Sequence, residues 1–274
     1  MANDIPKLTL TPEVPELTAD PEGKKLETVG QKPVETAVAT LTPEEQKAVD
    51  EFAKQIDIRD ANVVLQYGAA AQKKVSSFSE SALEKVSNKD LGAVGEMMTS
   101  LMVQLKGFNA DAEDKGGFLG LFKKGSRKIA AMKARYEKAA VSVDQIANML
   151  EDHQVTLLKD IAVLDKMYET NLAYFKELTM YIAAGKKRLE EVRSTELVEL
   201  REKAQRTGLP EDAQAANDLA NMCNRFEKKL HDLELTRNIS IQMAPQIRMI
   251  QNNNSLMAEK IQSIIVNTIP LWKS

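Results

Sequence analysis

The chain has 274 residues, with 37 Lys or Arg against 40 Asp or Glu and a formal net charge of −3. That near balance excludes a nucleic-acid binder held by bulk positive charge. A single cysteine, Cys223, excludes an internal disulfide and fits a reducing cytoplasm, while 5% aromatic and 28% charged residues point to long helices rather than a β-rich core.

No basic stretch followed by an apolar one opens the chain, so no secretory signal is expected. No run of about 18 apolar residues is present to span a bilayer. Residues 1–40 carry four Lys and seven acids, and Pro6, Pro12, Pro15, Pro21 and Pro33 interrupt them. That segment reads as a disordered acidic tail with too little apolar surface to offset its ordering entropy.

Order is expected from Leu41. Thr42-Pro43-Glu44-Glu45 has an N-cap hydroxyl, a proline at the first helical position and a glutamate at the third, the pattern of a capping box. Val49, Phe52, Ala53 and Ile56 continue at helical spacing. A second helix is expected over 62–78, with Val64, Leu65, Tyr67, Ala71 and Val75 on one side. A third is expected over 88–106 through Leu91, Val94, Met98, Leu101, Met102 and Leu105. Residues 41–106 therefore predict a small N-terminal helical bundle.

Residues 107–125 form a glycine-rich basic hinge, with Gly116, Gly117, Gly120 and Gly125. Over 115–138, eight Lys or Arg face one acid, Glu137, the only strong local charge excess.

From 126 to 206 there is no proline. Leu150, Leu157, Leu164, Asn171 and Leu178 recur every seven positions, interleaved with Ala147, Gln154, Ile161, Tyr168, Phe175 and Ile182. Alternating steps of three and four place both series on one stripe. A helix of about 80 residues would be roughly 120 Å long and would need a neighbour to cover that stripe. Thr207-Gly208-Leu209-Pro210 turns the chain. A second long helix follows, with Leu219, Cys223, Phe226, Leu230, Leu233, Ile247, Ile250, Asn254, Met257, Ile261 and Ile264 as its stripe. Pro245 predicts a kink or break, and Pro270 the end of the pattern. The fold expected is all-α: a long antiparallel, coiled-coil-like helical hairpin over 126–274 beside the N-terminal bundle. Pairing within one chain and pairing in a homo-oligomer both satisfy the stripe.

The run from Arg237 through Pro245, Gln246, Ile247, Arg248, Gln251, Asn252 and Asn253 to Asn254 resembles the PQIRxIQxNN signature of the TelA family of toxic-anion (tellurite) resistance proteins. Glu259 to Ser263 and Thr268-Ile269-Pro270-Leu271-Trp272 resemble its KIQ and TIPLW segments. Ile56-Asp57-Ile58, Tyr67-Gly68, Leu164 to Tyr168, Asn171 and Tyr181 to Gly185 are similar to its earlier helices. The resemblance covers about 50–274. Family members continue with more helix after TIPLW, so a chain stopping at Lys273-Ser274 reads either as a truncated form or as a variant lacking that segment. The resemblance implies a role in toxic-anion resistance and envelope stress, and supplies no catalytic residues.

Three sets of residues could carry function. Phe118, Leu119, Leu121 and Phe122 precede Lys123, Lys124, Arg127 and Lys128. Aromatics beside a basic cluster can dock on an anionic membrane surface or a partner, or else the apolar side chains pack as a hinge. Arg248, with Gln246, Gln251 and Asn252 to Asn254, could bind an oxyanion through its planar fork of donors. Buried amides on a helical stripe more often set register and partner. Cys223 could act as a thiolate, but its place between Leu219 and Phe226 predicts a buried, inert thiol. His153 and His231 lack a spaced third ligand, so no metal is expected. No phosphate-binding loop, dinucleotide fingerprint or nucleophile elbow is present, so no cofactor is expected. The expected function is a non-catalytic scaffold or interaction protein of stress resistance. It would sit in the cytoplasm, at the inner membrane surface if the basic segment docks there, with protein partners along the long helices and no nucleic acid. The alternative is a tellurite-detoxifying enzyme or oxyanion-binding protein.

Overall fold

The computed structural model describes residues 5–10, 41–87, 91–110 and 125–274, and side chains for all of these except 83–87, 91, 107–110 and 125–132. Among them the fold is all-α, with no strand. The helices are α1 (Pro43–Ala53), α2 (Ala61–Gln66), α3 (Ala69–Ser87), α4 (Leu91–Ala110), α5 (Gly125–Ser194), α6 (Glu196–Thr207) and α7 (Pro210–Ser263). A π-helical turn (Ile264–Thr268) and α8 (Ile269–Lys273) complete the described residues.

The capping box forms as the residue types dictate. Glu45 N–H donates to the Thr42 hydroxyl at 3.3 Å, and Thr42 N–H donates to the Glu45 carboxylate at 2.9 Å. The helix expected over 62–78 is instead two helices, α2 and α3, parted at Gly68 with φ +65°. A side chain there would be strained, and an added Cβ would lie 2.8 Å from Leu233 Cδ1. Leu65, expected on the buried side of that helix, is exposed because the break re-aims the turn before it. The first long helix is likewise interrupted, at Thr195, and Gly208 caps α6 in the left-handed conformation, its N–H donating to Ala204 O at 3.0 Å.

Neither proline ends its helix. Pro245 lies inside α7 without breaking it. It is exposed, so water can take up the carbonyl of residue 241 that its missing N–H leaves unbonded. Pro270 falls in the first turn of α8, where a missing donor costs little, after a π-turn that widens the helix, with Ile269 N–H bonded to Ile264 O.

The chain forms two compact units, each built from separated segments: 1–83 with 167–247, and 84–166 with 248–274. In the first, α5 and α7 run antiparallel: Arg193 pairs with Glu227 at 2.8 Å, and Lys186 with Glu234 further along. Helices α1 to α3 pack on that pair. In the second, Asp165 meets Arg248 and Gln154 meets Ala258, again antiparallel, and α4 packs on the pair. Of the two heptad series, Leu150, Leu157, Leu164, Asn171 and Leu178 are all buried, whereas Ala147, Gln154, Ile161 and Phe175 are only half-buried at the flank.

One difference concerns the tail. Residues 5–10 are placed against the first unit: Leu8 and Leu10 pack on its core, and Thr9 is hydrogen-bonded to Tyr181. Composition alone does not reveal this, because two leucines suffice when a pocket already exists to receive them.

Candidate functional site

The signature segment occupies α7, and helical geometry divides it. Ile247, Gln251, Asn254 and Ala258 face inward, at steps of four, three and four, while Gln246, Asn252 and Asn253 face outward with Met249. The six polar residues of the segment therefore do not converge on one point. Pro245 and Gln246 belong to the first unit and the residues from Arg248 onward to the second.

In the second unit the Arg248 guanidinium donates to Asp165 Oδ1 at 2.8 Å and to the Gln251 side-chain oxygen. Its charge is thus met by a carboxylate on α5, and an incoming oxyanion would compete with that carboxylate. One turn on, Asn254 is fully buried, and neither its amide nitrogen nor its amide oxygen has a hydrogen-bond partner in the protein. A buried amide left in this way costs stability. Next, Gln154 Nε2 donates to Ala258 O at 3.1 Å and to Gln262 Oε1 at 2.8 Å. At the end of this unit Trp272 stacks on Tyr136, with centroids 5.3 Å apart, and Lys273 pairs with Asp144. Beside them a groove is lined by Asp144, Asn148, Glu151, Ile265 and Ile269.

The first unit has its own set of polar contacts. Asn171 Nδ2 donates to Ser240 O at 2.8 Å, Lys74 reaches Glu177 at 3.0 Å, and Lys176 reaches Glu45. Arg188 donates to Ile56 O and to Glu196. At the centre, Tyr67 packs edge-on against Tyr181 and Phe226 at 5.5 and 4.9 Å. Its hydroxyl donates to Tyr181 O at 2.7 Å, and burial pushes its pKa well up, so it stays a donor. Gly185 allows this approach: an added Cβ would lie 2.4 Å from Leu230 and 3.3 Å from Phe226.

Of the other predicted residues, Cys223 is buried in this core, and burial pushes its thiol pKa up. Among the described residues no group of His, Cys, Asp or Glu could hold a metal ion. His231 contacts Glu234 at 3.6 Å. Phe118, Leu119, Leu121, Phe122, Lys123 and Lys124 lie outside the described residues, and Arg127 and Lys128 open α5 without described side chains. No helix among the described residues is long and apolar enough to cross a membrane. Sequence reading missed the Tyr67–Tyr181–Phe226 cluster. Gly185, the one glycine in α5 after its first residue, was the signal that could have marked it.

The family described as Toxic anion resistance protein (TelA) matches residues 49–274. The chain is 41% identical to an uncharacterized Listeria monocytogenes protein, Lmo1967, over 86% of this chain and 60% of that one. It is 39% identical to the uncharacterized Bacillus subtilis protein YaaN over 95% of this chain and 70% of that one. It is also 40% identical to a Staphylococcus epidermidis TelA-like protein, over 85% and 63%. The chain thus spans between 60% and 70% of the length of these relatives. No solved structure matches it. With a family match over most of its length and three such relatives, the chain belongs to the TelA family of toxic anion resistance proteins.

Proposed function

We propose that the chain is a non-catalytic helical scaffold of the toxic-anion stress response, acting in the cytoplasm by docking a protein partner along its long helices. The observation that supports this most is the set of exposed apolar side chains on the second unit: Val155, Leu158 and Val163 on α5, and Met249 and Leu256 on α7. Val155 and Leu158 are one turn apart, and Met249 and Leu256 two turns apart, so each pair shares a helix face. Such faces are what a partner helix covers. The alternative, a detoxifying enzyme or oxyanion binder, would have to draw Arg248 from Asp165 or Cys223 out of an apolar core, and it has less support. The basic run 118–128 would add contact with an anionic membrane surface, which flotation with anionic vesicles at low and high salt tests.

The test is survival on tellurite of cells that depend on this protein. Leu158→Lys with Met249→Lys, both on exposed faces, is expected to abolish resistance with the helical content unchanged, while Cys223→Ala leaves it intact. Cofactor-dependent reduction of tellurite by the pure protein would overturn the scaffold reading.

A further inference from the structure

We propose that the first unit carries a binding site for an extended peptide with apolar residues on either side of a main-chain contact, and that residues 5–10 of the chain are its tethered ligand. The segment Ile5-Pro6-Lys7-Leu8-Thr9-Leu10 forms no helix. One side chain of the unit, Tyr181, reads its backbone. Thr9 N–H donates to the Tyr181 hydroxyl at 2.7 Å, and the same hydroxyl donates to Thr9 O at 3.0 Å. One phenol thereby meets both main-chain groups of one residue, as a neighbouring strand would. The flanking side chains give selectivity: Leu8 and Leu10 are half-buried on the core of the unit, while Lys7 and Ile5 point outward.

The receiving side is set by residues other than the ligand. Tyr181 is 1% exposed. Its ring stands edge-on to Phe52 at 5.7 Å and to Tyr67 at 5.5 Å, and its carbonyl accepts the Tyr67 hydroxyl. These contacts fix where its hydroxyl lies without help from residues 5–10, and a hydroxyl so placed needs partners. Thr9 supplies both a donor and an acceptor. Side-chain identity enters only through the two leucines, so any extended peptide with the same apolar–x–apolar spacing satisfies the same atoms. Because the ligand is part of the chain, its effective concentration sets the level that a competing peptide must exceed. This inference does not depend on the scaffold reading above.

The experiment uses the full-length chain with Leu8→Asp and Leu10→Asp, which should release the segment, and a fluorescein-labelled synthetic peptide of residues 3–12 as probe. The double variant is expected to bind the peptide saturably at one site, and the unaltered chain at least about tenfold more weakly. Adding Tyr181→Phe, which keeps the ring and removes the hydroxyl, is expected to weaken the peptide about tenfold. A peptide carrying Asp at both leucine positions should not bind. No binding to the folded double variant, or equal binding to the unaltered chain, overturns the proposal. Hydrogen exchange of the Thr9 amide in the unaltered chain stands independently of how the variant folds. Exchange slowed in the unaltered chain and restored by Tyr181→Phe supports the site, and exchange at the rate of a free peptide overturns it.

Discussion

Helices α5 and α7 supply side chains to both units, yet the two interiors differ in kind. The first is aromatic at its centre, where Phe52, Tyr67, Tyr181 and Phe226 meet at angles near perpendicular in three of four ring contacts. There Asn171 donates through its amide nitrogen to Ser240 O, while its amide oxygen has no hydrogen-bond partner in the protein. The second is aliphatic, with Val94, Leu101, Leu105, Val143, Leu150, Leu157 and Ile261 as its core, and it contains Asn254 with neither amide atom bonded. A shared pair of helices therefore does not impose a shared kind of core. Large rings demand close backbone approach, which Gly185 permits in the first unit. Leucine and isoleucine at heptad spacing fill the second with no such device.

The largest test of this contrast removes the centre of each unit in turn. Phe226→Ala is expected to cost about 3–5 kcal/mol and Ile261→Ala about 2–5 kcal/mol. Urea unfolding followed by amide exchange should show Phe226→Ala lowering protection over 167–194 and 210–247, and Ile261→Ala over 134–166 and 248–263. If either variant lowers both sets equally, the two units unfold as one and the contrast carries no energetic meaning. A smaller effect of opposite sign is expected at Asn254. Replacing it with leucine removes an unbonded buried amide at similar volume and should stabilise the second unit by about 1–2 kcal/mol. A loss of stability would mean that the amide has a partner in solution, such as a bound water.

The parts of the fold legible in sequence are those set by near neighbours. Thr42, Pro43 and Glu45 announce a helix start because the whole device spans four residues. Leu150, Leu157 and Leu164 announce the seam because period alone decides which side of a helix is covered. The break at Gly68 was hidden, since a glycine with helical neighbours looks permissive until Leu233, distant in sequence, is seen to occupy the space of its Cβ. The candidate site fared similarly. The inward set Ile247, Gln251 and Asn254 follows from spacing, but the partner of Arg248 lies 83 residues away and that of Thr9 lies 172 away. No local rule reaches across such separations. Thus residues 5–10 read as part of a tail, and Arg248 has no named counter-charge, until tertiary partners are known.

Acid should separate the two units further, by an effect smaller than those of core truncation. Among the described residues, five carboxylates of the first unit are held below their ordinary values. Hydrogen bonds lead for four: Lys187 to Asp50, Lys203 to Asp212, Arg193 to Glu227 and Lys186 to Glu234. At Glu45, burial works to raise the pKa, and Lys176 together with Thr42 outweighs it. A carboxyl whose pKa is lower folded than unfolded binds more protons when unfolded. The stability it contributes is fully present above its unfolded value, 4.5 for glutamate, and is lost as pH falls through the lower folded value. The first unit should therefore lose amide protection as pH drops below about 4.5, and Glu45→Gln should flatten that dependence while lowering stability near pH 7. A Glu45→Gln protein with an unchanged acid profile would place the acid response on the four surface pairs instead. It would also remove the buried capping glutamate, which Lys176 holds in its ionised form, from the account of what stabilises the first unit.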